Sequence, residues 1–502
     1  MISRMFEIEL GQIRLQVEHR MPGSEGGPTL RVLRSRDARE LLRFDCFMRG
    51  AHWHLDPAGG DRLTKLSPEL DAIEWTLAEL RGDLAGYVSR AGGELGSVES
   101  TALENVLGAV EGALRQGPVD FDAVDSAVRL QSRGEKWNLY AEDVLPLWVA
   151  DMDLPHADPV RRELQRALDQ GDFGYPIHPA PTDLPVLYAA WAAERHGWNV
   201  DPRHVELLTD VVQGMYVALD RFSEPGDGAL MQTPIYSPFR SSVRTMKRRA
   251  LEVPLVDSGS GYEVDLDEVR RAARDARIFL LCSPHNPTGR VFTRAELEAL
   301  AEIACEHDLF VVADEIHGDL TLPGSTFIPF AALSPQVEAR TLTLTSASKA
   351  FNFAGLRTAI AVFGSAEQKR RFNSLPRHLR GGVGILGIEA TRSAWRFGGP
   401  WLEALITHLA ANRAFVASTV ADQLPGIVHH PPEATYLAWL DCRALELEPS
   451  PYEFFLERAR VGLSNGADFG LPGEGFVRLN FATSRAIVAE ALERMAKALR
   501  SR

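Results

Sequence analysis

Three apolar runs in this 502-residue chain stop abruptly at residues that carry chemistry, and this pattern restricts the fold more than any other feature. Thr341-Leu342-Thr343-Leu344-Thr345 alternates β-branched and apolar residues as a strand does, and leads into Ser346-Ala347-Ser348-Lys349. Leu280-Leu281-Cys282 runs into Ser283-Pro284-His285-Asn286-Pro287-Thr288-Gly289, a turn rich in Pro, Asn and Gly. Phe310-Val311-Val312-Ala313 ends in Asp314-Glu315-Ile316-His317. Buried strands that deliver polar residues at their ends describe an open α/β sheet, which binds its ligands there.

Lysine is scarce: six residues among 54 Lys and Arg. Lys65, Lys136, Lys247, Lys369 and Lys497 lie in polar or charged surroundings that suggest surface. Arginine cannot replace a lysine that must lose its proton to form an imine, so Lys349 invites a chemical reading. On this stretch alone, a surface lysine after a Ser/Thr-rich turn is an equal alternative. Asp314 follows four apolar residues, where a carboxylate is costly to desolvate unless a cation or strong donor meets it. A protonated pyridine nitrogen is such a partner. Together these segments resemble the class I/II aminotransferase family of pyridoxal-phosphate enzymes, fold type I. There an Asn-Pro-x-Gly turn, an Asp-Glu-x-x strand end and a Ser-x-x-Lys loop occur in this order, and the resemblance runs over residues 126–502.

The resemblance implies that Lys349 bonds covalently to the cofactor and that Asp314 keeps the pyridine nitrogen protonated, with Asn286 on the phenolic oxygen and His317 also at the cofactor. Ser346, Ser348 and Arg357 resemble phosphate ligands, joined by Val212, Gln213 and Gly214 in a turn that opens a helix, whose N-terminal amides suit an anion. Tyr236 resembles the aromatic that stacks on the cofactor ring, Tyr175 the tyrosine that reaches the neighbouring subunit's phosphate, and Arg478 the arginine that pairs with the substrate α-carboxylate. The implied architecture is α/β: a large domain over 176–379 with a mostly parallel seven-stranded sheet, and a smaller α+β domain from 126–175 and 380–502. A homodimer is the implied assembly.

Leu145-Pro146-Leu147-Trp148-Val149-Ala150-Asp151-Met152-Asp153, Asp314-Glu315-Ile316-His317-Gly318-Asp319-Leu320 and Ala434-Thr435-Tyr436-Leu437-Ala438-Trp439-Leu440-Asp441 narrow the resemblance to the MalY/PatB-type C-S lyases. Many aminotransferases have a tyrosine where His317 stands. The chain departs from the pattern at Pro176, where a threonine is common, and at Asn138, where an aspartate is usual, which bears on substrate preference. The implied reaction is β-elimination of an S-substituted cysteine to thiol, pyruvate and ammonia, in sulfur handling or a specialised biosynthetic pathway. An aminotransferase or oxidative deaminase is the alternative within the family, and a cofactor-binding ligand sensor the alternative of another class.

No stretch reaches the roughly 20 apolar residues that span a bilayer. Residues 1–9 carry acids and lack the apolar core of a signal peptide, so the cytoplasm is the expected compartment. A net charge of -14 argues against a nucleic-acid surface. Cys46, Cys282, Cys305 and Cys442 show no metal spacing, and three of them lie in apolar segments that suggest buried free thiols.

Residues 1–120 are additional to the family pattern and read as a small α+β domain of unknown role, followed by a linker near 117–125. Phe6–Leu10 and Ile13–Val17 alternate about Gly11 as a hairpin. Helical spacing is expected over 37–48, 71–87 and 99–114, the last ended by Gly117-Pro118. Residues 1–125 hold 14 Lys and Arg against 21 Asp and Glu, a net of -7 that disfavours a DNA-binding role. His52 and His54 suggest a metal site, against which a structured loop or interface is the favoured reading. The expectation is that the two rings point to opposite sides of an extended segment and that no third ligand is spaced to join them. Packing beside the active-site mouth, to help choose a bulky substrate, is a further possibility for this domain.

Overall fold

The computed structural model describes residues 6–20, 27–47, 50–117, 119–124, 126–176 and 182–502. Pro118 and Asp125, within the expected linker, lie outside them. The chain groups into two compact units: residues up to 120 with 156–170 and 392–404, and residues 121–155, 171–391 and 405–502.

The second unit is built on a seven-stranded sheet. Across it the strands run Arg249–Pro254, Gly228–Thr233, Ala276–Cys282, Phe310–Asp314, Thr341–Thr345, Ala359–Phe363 and Val205–Leu208. Only Ala359–Phe363 opposes its neighbours in this sheet, so it is mostly parallel, as the resemblance implied. Both faces are covered, and residues alternate between two cores along each strand. Ile278 and Leu280 pack with Met215 and Leu219 of the helix Val211–Phe222, whereas Phe279 and Leu281 pack with Leu297 and Leu300 of the helix Arg294–Glu306. The three strands flagged by sequence are adjacent and parallel, so Asn286, Asp314 and Lys349 leave the same end of the sheet. A four-stranded antiparallel sheet places Leu437–Asp441 beside Phe476–Asn480, with Trp439 opposite Arg478. No helix among the described residues is long and apolar enough to cross a membrane.

In the first unit, β1 (Phe6–Leu10), β2 (Ile13–Arg20), β3 (Gly27–Arg34), β4 (Glu40–Asp45), β5 (His52–Leu55) and β6 (Arg62–Lys65) form an antiparallel meander in chain order. Helices α1 (Ala72–Arg90) and α2 (Ser100–Arg115) match the expected spans. Asp71 caps α1 by accepting from the backbone N–H of Ile73 and Glu74. Leu77, Leu80, Leu107 and Val110 of these helices pack with Leu15, Leu30, Leu42 and Phe44 of the sheet.

The helix expected over 37–48 is instead strand β4, and the physical reason is a bulge. Val32 pairs with Leu42 but Leu33 pairs with Glu40, so Leu41 is an extra residue without a partner. Leu41 and Leu42 are both buried, which breaks the two-residue alternation and imitates helical spacing. The reading of His52 and His54 also fails: both lie in β5, where alternate residues share a face, and their rings are 5.1 Å apart. Asp45, across β4, supplies the third group that sequence spacing did not show.

Phe44 is 1% exposed and stacks on Trp53 at 5.8 Å. Phe44→Ala is expected to destabilise the first unit by about 3–5 kcal/mol, seen by hydrogen exchange as lost amide protection within residues 6–115.

Candidate active site

Lys349 lies in the short helix Ala347–Ala350, capped by Ser346, whose hydroxyl accepts from Ser348 N and donates to the Thr358 carbonyl. The lysine is half-buried, and desolvation lowers its pKa, against an opposing pull from Asp151 and Asp314. Its Nζ donates to the Ala150 carbonyl at 2.7 Å, an oxygen that also accepts from Tyr436 Oη at 3.0 Å. Asp314 ends its strand fully buried, which pushes its carboxyl up to about 6, and Oδ1 accepts from Ile316 N at 3.2 Å. Burial likewise pushes Glu315 up to about 8, with the charge of Asp314 adding to it; its Oε1 accepts from Phe330 N. His317 is held down at about 3 by burial, then by Lys349 and Arg478, so its ring is neutral, and Nδ1 is buried without a hydrogen-bond partner.

Arg478 is 4% exposed, yet its partners are neutral oxygens: Asn286 Oδ1 at 2.9 Å, the Trp148 carbonyl at 3.0 Å and Ser464 Oγ at 3.1 Å. Burial lowers it to about 10. A buried guanidinium held only by neutral acceptors retains an uncompensated charge for an anionic ligand. Tyr236 joins the site electrostatically through Arg478 and Asp314, and its backbone N–H donates to the Asn286 carbonyl.

At the start of the helix Val211–Phe222, Asp210 caps through Gln213 N at 2.9 Å and also accepts from Arg357 Nη2 at 2.6 Å. Val212, Gln213, Gly214 and Arg357 therefore meet at one corner. A Cβ on Gly214 would fall 2.7 Å from Leu208 Cδ1 and 2.8 Å from Leu344 Cδ2, so a larger residue would have to displace these core side chains. Tyr175 is fully exposed and makes no contact with these groups within its own chain.

The segment 148–153 has a larger part than its sequence indicated. Its carbonyls accept from Arg478 at Trp148, from Asn480 at Val149 and Asp151, from Lys349 at Ala150 and from Lys136 at Asp151. Lys136, expected at the surface, is 2% exposed and pairs with Asp153 at 2.8 Å, while Trp137 Nε1 donates to the other carboxylate oxygen at 2.7 Å. The error has a simple cause: the neutralising acid is 17 residues away in sequence. Tyr436 was already within a quoted motif, whereas nothing in the sequence distinguishes Ser464.

A buried carboxyl raised toward neutrality, an amine of lowered pKa, an arginine with unspent charge and a neutral histidine with an open nitrogen suit a cofactor that brings a cation to Asp314 and a carbonyl to Lys349. Residues 142–495 match the family described as aminotransferase class I and II, and residues 7–114 match a domain of unknown function, DUF7700. Cystathionine beta-lyase PatB of Bacillus subtilis is 36% identical over 380 residues, 74% of this chain and 98% of PatB. Cystalysin from Treponema denticola, solved with pyridoxal 5'-phosphate, is 30% identical with a TM-score of 0.73, covering 77% of this chain and 100% of that one. The PLP-bound C-S lyase from Staphylococcus hominis is 29% identical with a TM-score of 0.71, covering 76% of this chain and 98% of that one. The chain belongs to the class I and II aminotransferase family, with the type I fold. It is a pyridoxal-phosphate-dependent enzyme on the branch of the carbon–sulfur lyases.

Two outcomes follow from the buried charges. Lys136→Met is expected to cost about 3–5 kcal/mol by stranding Asp153, and Lys136→Met/Asp153→Leu to recover much of it, read from denaturation midpoints. Glu315 has a folded pKa above its unfolded value, so its favourable contribution is complete below about 4.5 and is lost as pH rises to about 8. Urea titrations should therefore show Glu315→Gln gaining stability relative to wild type across that interval.

Proposed function

We propose that this enzyme cleaves the carbon–sulfur bond of an S-substituted L-cysteine, releasing a thiol, pyruvate and ammonia. The supporting observation is the buried Arg478, held by neutral oxygens at the same site as a lysine of lowered pKa and a buried carboxyl. An α-carboxylate would fill the need of Arg478 for a counter-charge and fix the α-carbon relative to Lys349.

Pyridoxal phosphate, when bound, supplies an electron sink for the charge left on the α-carbon. Asp314 would hold a protonated ring nitrogen at the strand end, where a cation would favour the ionised carboxylate. Lys349 takes the α-proton: desolvation lowers its pKa, which favours the neutral amine that can accept it. The Ala150 carbonyl, 2.7 Å from Nζ, orients the amine. Asn286 aligns Arg478 through Oδ1, and its amide nitrogen would face the phenolic oxygen. The corner of Val212, Gln213, Gly214, Ser346, Ser348 and Arg357 would hold the phosphate, with Gln213 N here on Asp210 and the Ser346 hydroxyl on the Thr358 carbonyl, and Tyr236 would pack on the ring. Neutral His317 and Tyr436 enclose the site without adding charge. Exposed Tyr175 reaches the phosphate of a second copy, making the enzyme a homodimer.

Thiol and pyruvate assayed together on an S-alkyl cysteine test this reading. Wild type is expected to release both in equal amounts and Lys349→Ala neither. Arg478→Ala should raise KM by at least about tenfold, since a hydrogen bond to a charged group contributes about 1.5–3 kcal/mol. A keto acid that still carries its sulfur would instead establish a transaminase or deaminase.

A further inference from the structure

The first unit contains a side-chain cluster that the lyase reaction leaves unused. The register of β4 and β5 sets Asp45 opposite His52 and Arg43 opposite His54, on the sheet face away from Phe44 and Trp53. Asp45 is 2% exposed and His54 5%. Asp45 Oδ2 lies 3.3 Å from His52 Nε2 and 3.8 Å from His54 Nε2. Ligand atoms about 2.0–2.2 Å from one divalent ion stand about 3–3.5 Å from each other, and the three ligand atoms here lie within 4.8 Å of one another, so they must draw together to share a metal.

Hydrogen bonding fixes the tautomers. His54 Nε2 faces Arg43 Nη2 at 3.0 Å, and a guanidinium can only donate, so that nitrogen keeps its lone pair. The proton is on Nδ1, which donates to Asp61 at 2.6 Å. His52 Nδ1 faces the Gly50 carbonyl at 2.8 Å, so it too carries the proton. In a neutral ring, His52 Nε2 then turns a lone pair toward the Asp45 carboxylate, a repulsive arrangement that a cation between them relieves. Both rings thus have the outer nitrogen donating to an oxygen and the inner one directed at a carboxylate, the pattern of histidines that ligate metals.

We propose that Asp45, His52 and His54 form a binding site for a divalent first-row transition-metal ion. Two histidines and one carboxylate leave coordination positions for water or a small ligand, as in zinc and non-haem iron centres. Thr29 Oγ1 donates to Asp45 Oδ1 at 2.5 Å and orients the carboxylate. Arg43 Nε at 3.2 Å and Arg20 Nη1 at 3.3 Å also lie on Asp45, and Lys65 is the β6 neighbour of His52. Arg43 engages the lone pair of His54 that a metal would use. It therefore competes with the metal, and its partly exposed side chain can swing aside.

The experiment is calorimetric titration of zinc chloride into full-length, cofactor-loaded enzyme after chelator treatment, with folding checked by circular dichroism. Wild type should bind about one equivalent, and His52→Ala and His54→Ala should lose it. Asp61→Asn should weaken binding about 10–100-fold by releasing the ring of His54. Arg43→Ala should bind more tightly than wild type, an effect opposite in sign to that of a purely structural ion-pair network. Equal binding by wild type and the His52→Ala/His54→Ala variant would overturn the proposal. So would no binding by folded wild type, with His52 doubly protonated by NMR.

Discussion

Two opposite charges 2.8 Å apart, with almost no access to water, hold the segment that the active site is built around. Removing Lys136 and Asp153 from solvent costs several kcal/mol each, and their attraction offsets this only if every remaining donor and acceptor is used. Trp137 Nε1 fills the second carboxylate oxygen and the Asp151 carbonyl takes another ammonium proton, so the pair tolerates one geometry. Through that geometry, residues 148–151 present successive carbonyls to Arg478, Asn480, Lys349 and Tyr436. An irregular stretch of backbone thus acts as the common reference for a lysine beyond the end of one sheet and an arginine within another.

The choice of neutral acceptors around Arg478 has an electrostatic logic. A carboxylate there would neutralise the guanidinium within the protein and compete with any anionic ligand. Carbonyl, amide and hydroxyl oxygens orient it and leave its charge unspent. Asp314 and Lys349 are strained in complementary senses: burial favours a neutral acid at one and a neutral amine at the other. Groups displaced in this way are cheap to complete with a ligand of opposite charge and costly to leave alone.

The catalytic end of the sheet was legible in the sequence because parallel buried strands are continuous apolar runs, and each stops at the residue that matters. Lys349, Asp314 and Asn286 emerge together for that reason. Contacts between remote segments were not legible. Lys136 looked solvated because its acid partner lies beyond any local window, and Ser464 has no signal until its strand is set beside Arg478. In the first unit, β4 was mistaken for a helix since its bulge buries two adjacent leucines. His52 and His54 share a face by the two-residue period of a strand, and the acid that joins them is a cross-strand neighbour with no signal in the local sequence.

The unpaired Leu41 also sets a counting rule for the chain. Upstream of it, one parity of residue faces the oil; downstream, the other does. Removing Leu41 would leave Glu40 opposite Leu33 and Phe44 opposite Leu30, because directly paired residues of neighbouring strands share a face. A lineage carrying this domain can therefore lose that codon and keep Phe44 against the core, giving up the local kink and the burial of one leucine.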